Sequence, residues 1–307
     1  MLQLLIGTNL PFMKYRRFAY LFSGALVVAT VAWLVAHGGP KYSVDFTGGT
    51  LLQIRLGRVL PADQVRQALD AGGLKGAELQ QMTGENRAEF LIRIQSQGQG
   101  QGDLFARARD AIHARMPEVA VELRRTEAVG PKVGSELRRK AIWAVLGSLG
   151  AILLYVGIRY EFKYALGAVV ALFHDVFVTL GVLCFTGREV SLTVLAALLT
   201  IAGYSINDTI VVFDRIRERN KALRKEKHSR VMDIAVNETL SRTVITAFTV
   251  FLSALALFIW GGEVLRDFSF AMLVGTVFGT YSSVYVASAL ALESWIGLDR
   301  RKGIAAE

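Results

Sequence analysis

The chain has 307 residues, 52% of them apolar and 20% charged, with 35 Lys and Arg against 26 Asp and Glu, a net charge of +9 and one cysteine. The charge is unevenly spread: residues 37–140 carry 28 charged side chains, whereas the remainder holds long uncharged apolar runs with cations collected between them. This excludes a single water-soluble globule, a disordered chain and a disulfide-stapled secreted domain, and it makes the basic balance a matter of membrane topology, with no nucleic-acid partner implied.

A hydrocarbon core about 30 Å thick takes roughly 20 apolar residues per helix. Residues 18–36 meet that length behind a short segment, 1–17, that carries Lys14, Arg16 and Arg17. The run is longer than the apolar region of a signal peptide, and Ala36-His37-Gly38-Gly39-Pro40 offers no small-x-small cleavage pattern, so it is expected to remain as a first span.

Residues 37–140 have the make-up of a soluble domain inserted between the first and second spans. Val44–Leu56 reads as a strand, and Pro61 with Gln64, Val65, Ala68 and Leu69 reads as a short helix closed by Gly72-Gly73. Ala77–Met82 and Ala88–Ile94 are expected to pair through a hairpin at Thr83-Gly84-Glu85-Asn86. Asp103 can cap a helix carrying Leu104, Phe105, Ala108 and Ile112 that ends at Pro117, and Val119–Thr126 alternates as a last strand. The order β-α-β-β-α-β predicts a ferredoxin-like α+β fold. The Gln/Gly tract Gln95–Gly102 is expected to be a flexible loop inside it. The domain has no nucleophile–base pair and no metal-ligand spacing, so neither an enzyme nor a cofactor is expected; His113 reads as a helix-surface residue.

Five further apolar runs follow, at residues 141–158, 164–185, 190–213, 243–262 and 268–292, with a basic stretch at 214–242 and a tail at 293–307. The predicted fold class is therefore an α-helical polytopic membrane protein with six transmembrane helices and one extracytoplasmic α+β domain. With both termini in the cytoplasm, the inside segments hold seventeen Lys and Arg against Arg188 and Arg266 in the short outside loops, which fits the positive-inside rule and places the inserted domain outside.

Ionisable groups inside spans are costly and usually face a bundle interior or a water-filled path. His174-Asp175 falls near the middle of the third span. Asn207-Asp208 falls in the cytoplasmic third of the fourth, where Gly203, Tyr204 and Ser205 also dilute the apolar character. Arg242 opens the fifth span on the same side, and it reaches the depth of Asp208 if its helix starts earlier, as Val231–Thr239 permits. Burial favours the neutral carboxyl and a nearby guanidinium favours the charged one, so an Asp208–Arg242 contact that forms and breaks would be a proton-binding element. The alternatives are that Arg242 snorkels to the surface, that Asp208 caps a water-exposed helix end, and that neighbouring helices merely satisfy His174-Asp175. Gly275-x-x-x-Gly279 in the last span favours close helix packing without naming the partner helix.

Two motifs resemble the SecF family, accessory membrane subunits of the bacterial Sec protein translocase. Val44-Asp45-Phe46-Thr47-Gly48-Gly49-Thr50 is similar to the signature at the start of that family's outer domain. The segment Gly203–Glu218, with Asn207-Asp208-Thr209 and Phe213-Asp214-Arg215-Ile216-Arg217, is similar to its fourth span, and Ser241-Arg242-Thr243 matches at the fifth. From the residues alone, Asp45, Gly48 and Gly49 describe only a turn or close backbone approach. The resemblance implies a SecD partner, the SecYEG channel with its accessory subunits, a translocating preprotein, and use of the proton motive force in late steps of export across the bacterial cytoplasmic membrane. It also implies that Asp208 and Arg242 belong to the proton path, to which the intramembrane pattern adds Asp175, His174 and Asn207. No G-x-x-x-x-G-K-[ST] loop occurs, so ATP hydrolysis would fall to another subunit. A proton-coupled efflux subunit and a passive scaffold for the translocon are the rival readings.

Overall fold

The computed structural model describes residues 7–74, 77–82, 88–94, 101–159 and 162–301. The chain divides into two units, one of Tyr42–Ile142 and one of Met1–Lys41 with Trp143–Glu307. It opens with a 3-10 turn at Phe12–Tyr15 and the helix α1 (Arg16–Ala36).

In the inserted unit the expected first strand is split. Ser43 accepts a hydrogen bond from the Asp45 amide (3.3 Å) and caps a four-residue helix, α2 (Val44–Thr47), so the strand β1 runs only from Gly49 to Leu56. The cause is local. A short polar side chain satisfies an orphan amide at the helix start, and Gly48 (φ +73°) and Gly49 (φ +123°) take up backbone conformations that other residues avoid. Helix α3 (Ala62–Ala71) follows Pro61 and ends at Gly72, as expected. Strands β2 (Glu78–Gln81) and β3 (Glu89–Ile94), helix α4 (Gln101–Arg115) and strand β4 (Val121–Val129) complete the series. Helix α4 starts two residues ahead of Asp103, which therefore sits in the first turn, where it suits the helix dipole, instead of capping it. The hairpin tip Thr83–Asn86 and residues 95–100 of the Gln/Gly tract lie outside the described residues; the tract's last two residues open α4.

The sheet order is β2-β3-β1-β4, antiparallel throughout, which is the ferredoxin-like arrangement. Leu52 lies opposite Ile92 and Ile54 opposite Phe90. These four side chains form the domain core with Val65 and Leu69 of α3 and Leu104 and Ile112 of α4. Alternate residues turn away from that core. Among them Glu89 is almost fully buried, accepts a hydrogen bond from Gln53 Nε2 (2.7 Å) and lies between Arg55 and Arg124. Helix α5 (Pro131–Arg159) starts against the α2–β1 turn: a Cβ on Gly134 would stand 2.9 Å from the Gly48 amide nitrogen and 3.2 Å from the Phe46 carbonyl carbon.

The second unit is helical, with α6 (Phe162–Phe185), α7 (Leu192–Ala222), α8 (His228–Trp260) and α9 (Gly262–Ser282), a π-helical turn at Ser283–Ala287 and α10 (Ser288–Arg301). Among the described residues six stretches are long and apolar enough to cross a membrane. The third, fourth and sixth are about half buried in the protein and form the bundle's centre; the first, second and fifth leave most of their apolar surface uncovered. The helices outrun the apolar runs. Because α7 ends at Ala222 and α8 starts at His228, the basic stretch 214–242 is mostly helical, and its two halves are joined where Arg215 and Arg219 both donate to Glu238. The N-terminal segment is tied to α8, with the Met13 amide donating to Asp233 Oδ1 (2.8 Å) and Leu10 exchanging two hydrogen bonds with the Asn237 side chain.

Close packing in the bundle rests on glycine. A Cβ on Gly275 would overlap Ile201, and one on Gly279 would lie 3.3 Å from Ser205 Cβ, so the Gly-x-x-x-Gly pair seats α9 on α7. On α6, Gly181 gives the same access to Thr30 of α1.

Gly134→Ala is expected to press a methyl group onto backbone that cannot yield, at a cost of about 1–3 kcal/mol. Hydrogen exchange of the β1 amides in the full-length protein should quicken; unchanged exchange would contradict the contact. Gly275→Leu should lower the thermal midpoint of the detergent-solubilised protein, whereas Gly147→Leu, at a site where no atom lies within 4 Å of an added Cβ, should leave it unchanged.

Candidate functional site

Helix α7 begins cleanly, since Ser191 caps it by accepting a hydrogen bond from the Val194 amide (3.1 Å). From there its 3.6-residue period sets which polar groups turn inward. Ser205, Asp208 and Thr209 are buried and Tyr204 is half-buried, but Asn207 is exposed, a turn of about 100° away from Asp208. The structure therefore does not bring Asn207 to the other candidates.

Asp208 is 2% exposed, and its Oδ2 has no hydrogen-bond partner. Tyr204, one turn earlier on α7, and Thr246 and Arg242 of α8 are the groups that act on its carboxyl. Thr246 directs its hydroxyl to the Arg242 and Thr243 carbonyls of its own helix, and Thr280 of α9, which flanks Tyr204, does likewise to Thr276. No ion pair joins Asp208 to Arg242, whose side chain is exposed. Helix α8 does start well before Arg242, as Val231–Thr239 suggested, so the two residues share a neighbourhood without touching. An ionised carboxylate buried in this way costs several kcal/mol unless a proton or a cation offsets it.

The second candidate pair is more tightly built. Asp175 of α6 is fully buried; its Oδ2 accepts hydrogen bonds from Ser205 Oγ of α7 (2.5 Å) and Ser282 Oγ of α9 (2.6 Å), and its Oδ1 faces His174 Nδ1 at 3.0 Å. Three helices meet on one carboxyl. Reading the sequence missed both serines as site residues, because they lie 30 and 107 positions from Asp175. The available signal was indirect: Ser205 stands three residues from Asp208, and Ser282 continues the small-residue face of Gly275 and Gly279.

In the inserted unit Asp45 is half-buried in the first turn of α2, and Gly48 and Gly49 form the passage from that helix into β1. The missing Cβ of Gly134 lets α5 approach the backbone at Phe46 and Gly48. Among the described residues no group of His, Cys, Asp and Glu is placed to hold a metal ion.

Two family models match. "Protein export membrane protein SecD/SecF, C-terminal" covers residues 110–295, and the "SecD/SecF GG Motif" covers residues 33–57, which contain Asp45, Gly48 and Gly49. The chain is 42% identical over 293 residues to protein translocase subunit SecF of Rhodothermus marinus, spanning 94% of each. It superposes on the crystal structure of SecDF, a translocon-associated membrane protein from Thermus thermophilus, with a TM-score of 0.85 and 38% identity over 96% of its own length. A SecDF crystal structure in a super-membrane-facing form matches with a TM-score of 0.71 and 39% identity over 98% of it. The chain spans 40% of the length of either SecDF chain. With a six-helix apolar bundle, an inserted ferredoxin-like domain, the GG motif and matches of this extent, the chain belongs to the SecD/SecF family of protein-export membrane proteins.

Proposed function

We propose that this chain is a proton-coupled subunit of a Sec-type protein translocase. It works with a SecD partner to promote late steps of preprotein translocation through a SecYEG channel in the bacterial cytoplasmic membrane. The observation that carries this reading is Asp208, a carboxyl buried in an apolar bundle without an ion-pair partner among the described residues and within the electrostatic reach of Arg242. A group so placed changes its interactions when it gains or loses a proton, and helices packed around it respond. One proton crossing about 100 mV contributes roughly 2.3 kcal/mol, enough to bias two conformations without locking either.

The partner reading draws on two facts. SecDF chains are longer than this one, which spans 40% of them, and the helices α1, α5 and α8 leave apolar faces uncovered, with Trp143, Leu154, Phe248 and Trp260 among the exposed side chains. The seventeen cations in the segments assigned to the inside support cytoplasmic termini and an extracytoplasmic domain. In this reading proton cycles at Asp208 move the domain, which holds the emerging preprotein against backsliding; Arg242 pairs with the carboxylate in the deprotonated half of the cycle. The two SecDF structures match this chain to different degrees at nearly equal identity, which supports a molecule with more than one form.

Asp208→Asn keeps the shape of the side chain and removes its titration. In vesicles carrying the variant with its SecD partner, the part of preprotein translocation that depends on the proton gradient should be lost, while the ATP-driven part and assembly with SecD persist. Normal gradient-dependent rates would contradict proton coupling and favour a passive scaffold. A photo-crosslinking residue at Leu123, which is exposed on β4, should capture a preprotein arrested in transit; its failure to do so while export proceeds would count against the holding role.

A further inference from the structure

We propose that His174 and Asp175 form a second proton-binding site, clamped by Ser205 and Ser282, whose occupancy decides which groups donate and which accept in the hydrogen bonds that join α6, α7 and α9. Its use in transport rests on the proton-coupled reading above; the binding of a proton at Asp175 does not.

The site is enclosed. Asp175 is fully buried and His174 nearly so. The groups that face the carboxyl from the surrounding helices are the Ser205 hydroxyl from α7, the Ser282 hydroxyl from α9 and His174 on its own helix, with the Tyr281 ring beside the imidazole at a centroid distance of 6.2 Å. Tyr281 itself is engaged with α1, donating to the Ala19 carbonyl and sharing a hydrogen bond with Ser23. Among the described residues no Lys or Arg forms an ion pair with Asp175, and the nearest other carboxyl on α7 is Asp208, one turn from Ser205. Among the described residues, His174 is therefore the one group that forms an ion pair able to balance a charge on Asp175.

This fixes the proton count. A neutral imidazole beside a protonated carboxyl and an imidazolium beside a carboxylate have the same net charge, so the pair is neutral with one exchangeable proton and carries −1 after releasing it. His174 Nε2 supplies the second, independent observation: it is buried and has no hydrogen-bond partner. A structural pair would be expected to satisfy that nitrogen, whereas a pair that exchanges a proton needs a free position for a water to reach.

The clamp has a built-in alternative. Ser282 Oγ lies 2.6 Å from Asp175 Oδ2 and also 3.1 Å from the Gly279 carbonyl of its own helix. With Asp175 ionised, both serine hydroxyls donate to the carboxylate and bind α7 and α9 to α6. With Asp175 protonated, its own O–H can donate to Ser282 Oγ while Ser282 turns its hydrogen to Gly279. The helix changes pitch directly after this residue, in the π turn Ser283–Ala287, where Ser288 Oγ donates to the Ser283 carbonyl five residues back. π turns of this kind recur at functional positions in helices.

Infrared difference spectroscopy on the full-length chain with its SecD partner, between acid and alkaline pH, tests the proposal without a transport assay. Wild type should show two protonated-carboxyl bands that appear on acidification. Asp208→Asn should lose one and Asp175→Asn the other, and Ser282→Ala should shift the second band without removing it. Since Asp175→Asn can weaken the bundle, Ser282→Ala, which keeps the carboxyl, provides the independent reading. Spectra of folded Asp175→Asn that match wild type, or a Ser282→Ala spectrum with no shifted band, would overturn the site and leave His174-Asp175 a fixed structural clamp. Loss of gradient-driven export in Asp208→Asn with no titrating band from Asp175 would defeat this inference alone; a titrating Asp175 with normal export in Asp208→Asn would defeat the proton-coupled reading alone.

Discussion

The close approach of α7 and α9 is the constraint on which the rest of the bundle depends. In an apolar solvent, helices gain little from burying more apolar surface against each other, so association rests on packing and on the few polar groups that find partners. Gly275 and Gly279 remove the side chains that would hold α9 away from Ile201 and Ser205. Only at that separation can Ser205 and Ser282 both reach Asp175 Oδ2, at 2.5 and 2.6 Å. The glycines and the hydroxyls are one device: the first makes room, and the second fills it with hydrogen bonds that lipid cannot supply.

Two buried carboxyls on this scaffold receive opposite treatment. Asp175 is supplied with donors from three helices, whereas Asp208 has an oxygen with no partner and a guanidinium held at a distance. Hydrogen bonds to a charged group are each worth about 1.5–3 kcal/mol, and an unmet buried polar atom costs about 1–3 kcal/mol. Asp175 therefore has its carboxyl oxygens met in the bundle as found, while Asp208 leaves an interaction unmade that another arrangement of α7 and α8 could make with Arg242. Under the proposed function that asymmetry is what a two-state element needs, since a proton then changes the relative stability of the arrangements.

The architecture was legible because both of its halves have strong periodic signals. Six apolar runs of spanning length, four of them without a charge, announce themselves, and the alternation of β1, β3 and β4 with the two amphipathic helices between them specifies the βαββαβ order. The errors sit where a local hydrogen bond outweighs a pattern. Val44–Thr47 alternates like a strand, but the Ser43 cap and the positive φ of Gly48 turn it into a helix. Asn207 neighbours Asp208 in sequence and points elsewhere on the helix. The candidate site was only half legible, for a different reason. Charged residues in apolar runs stand out, so Asp175, Asp208 and Arg242 were found, but a serine in a span is unremarkable until its distance to a carboxyl in another helix is known. Likewise, the apolar runs understate α7 and α8, whose outer turns are helical through tertiary contacts at Glu238, Asp233 and Asn237.

Under the proposed function, protonation of the buried carboxyls on α6 and α7 sets how these helices pack. This is tested most directly by the distance between spin labels at Phe173 on α6 and Val277 on α9, both exposed, in the chain bound to its SecD partner in lipid nanodiscs. The distance distribution should shift between acid and alkaline pH, and should no longer shift when Asp175→Asn and Asp208→Asn are combined. The same distribution at both pH values in the labelled, otherwise unaltered chain would contradict it.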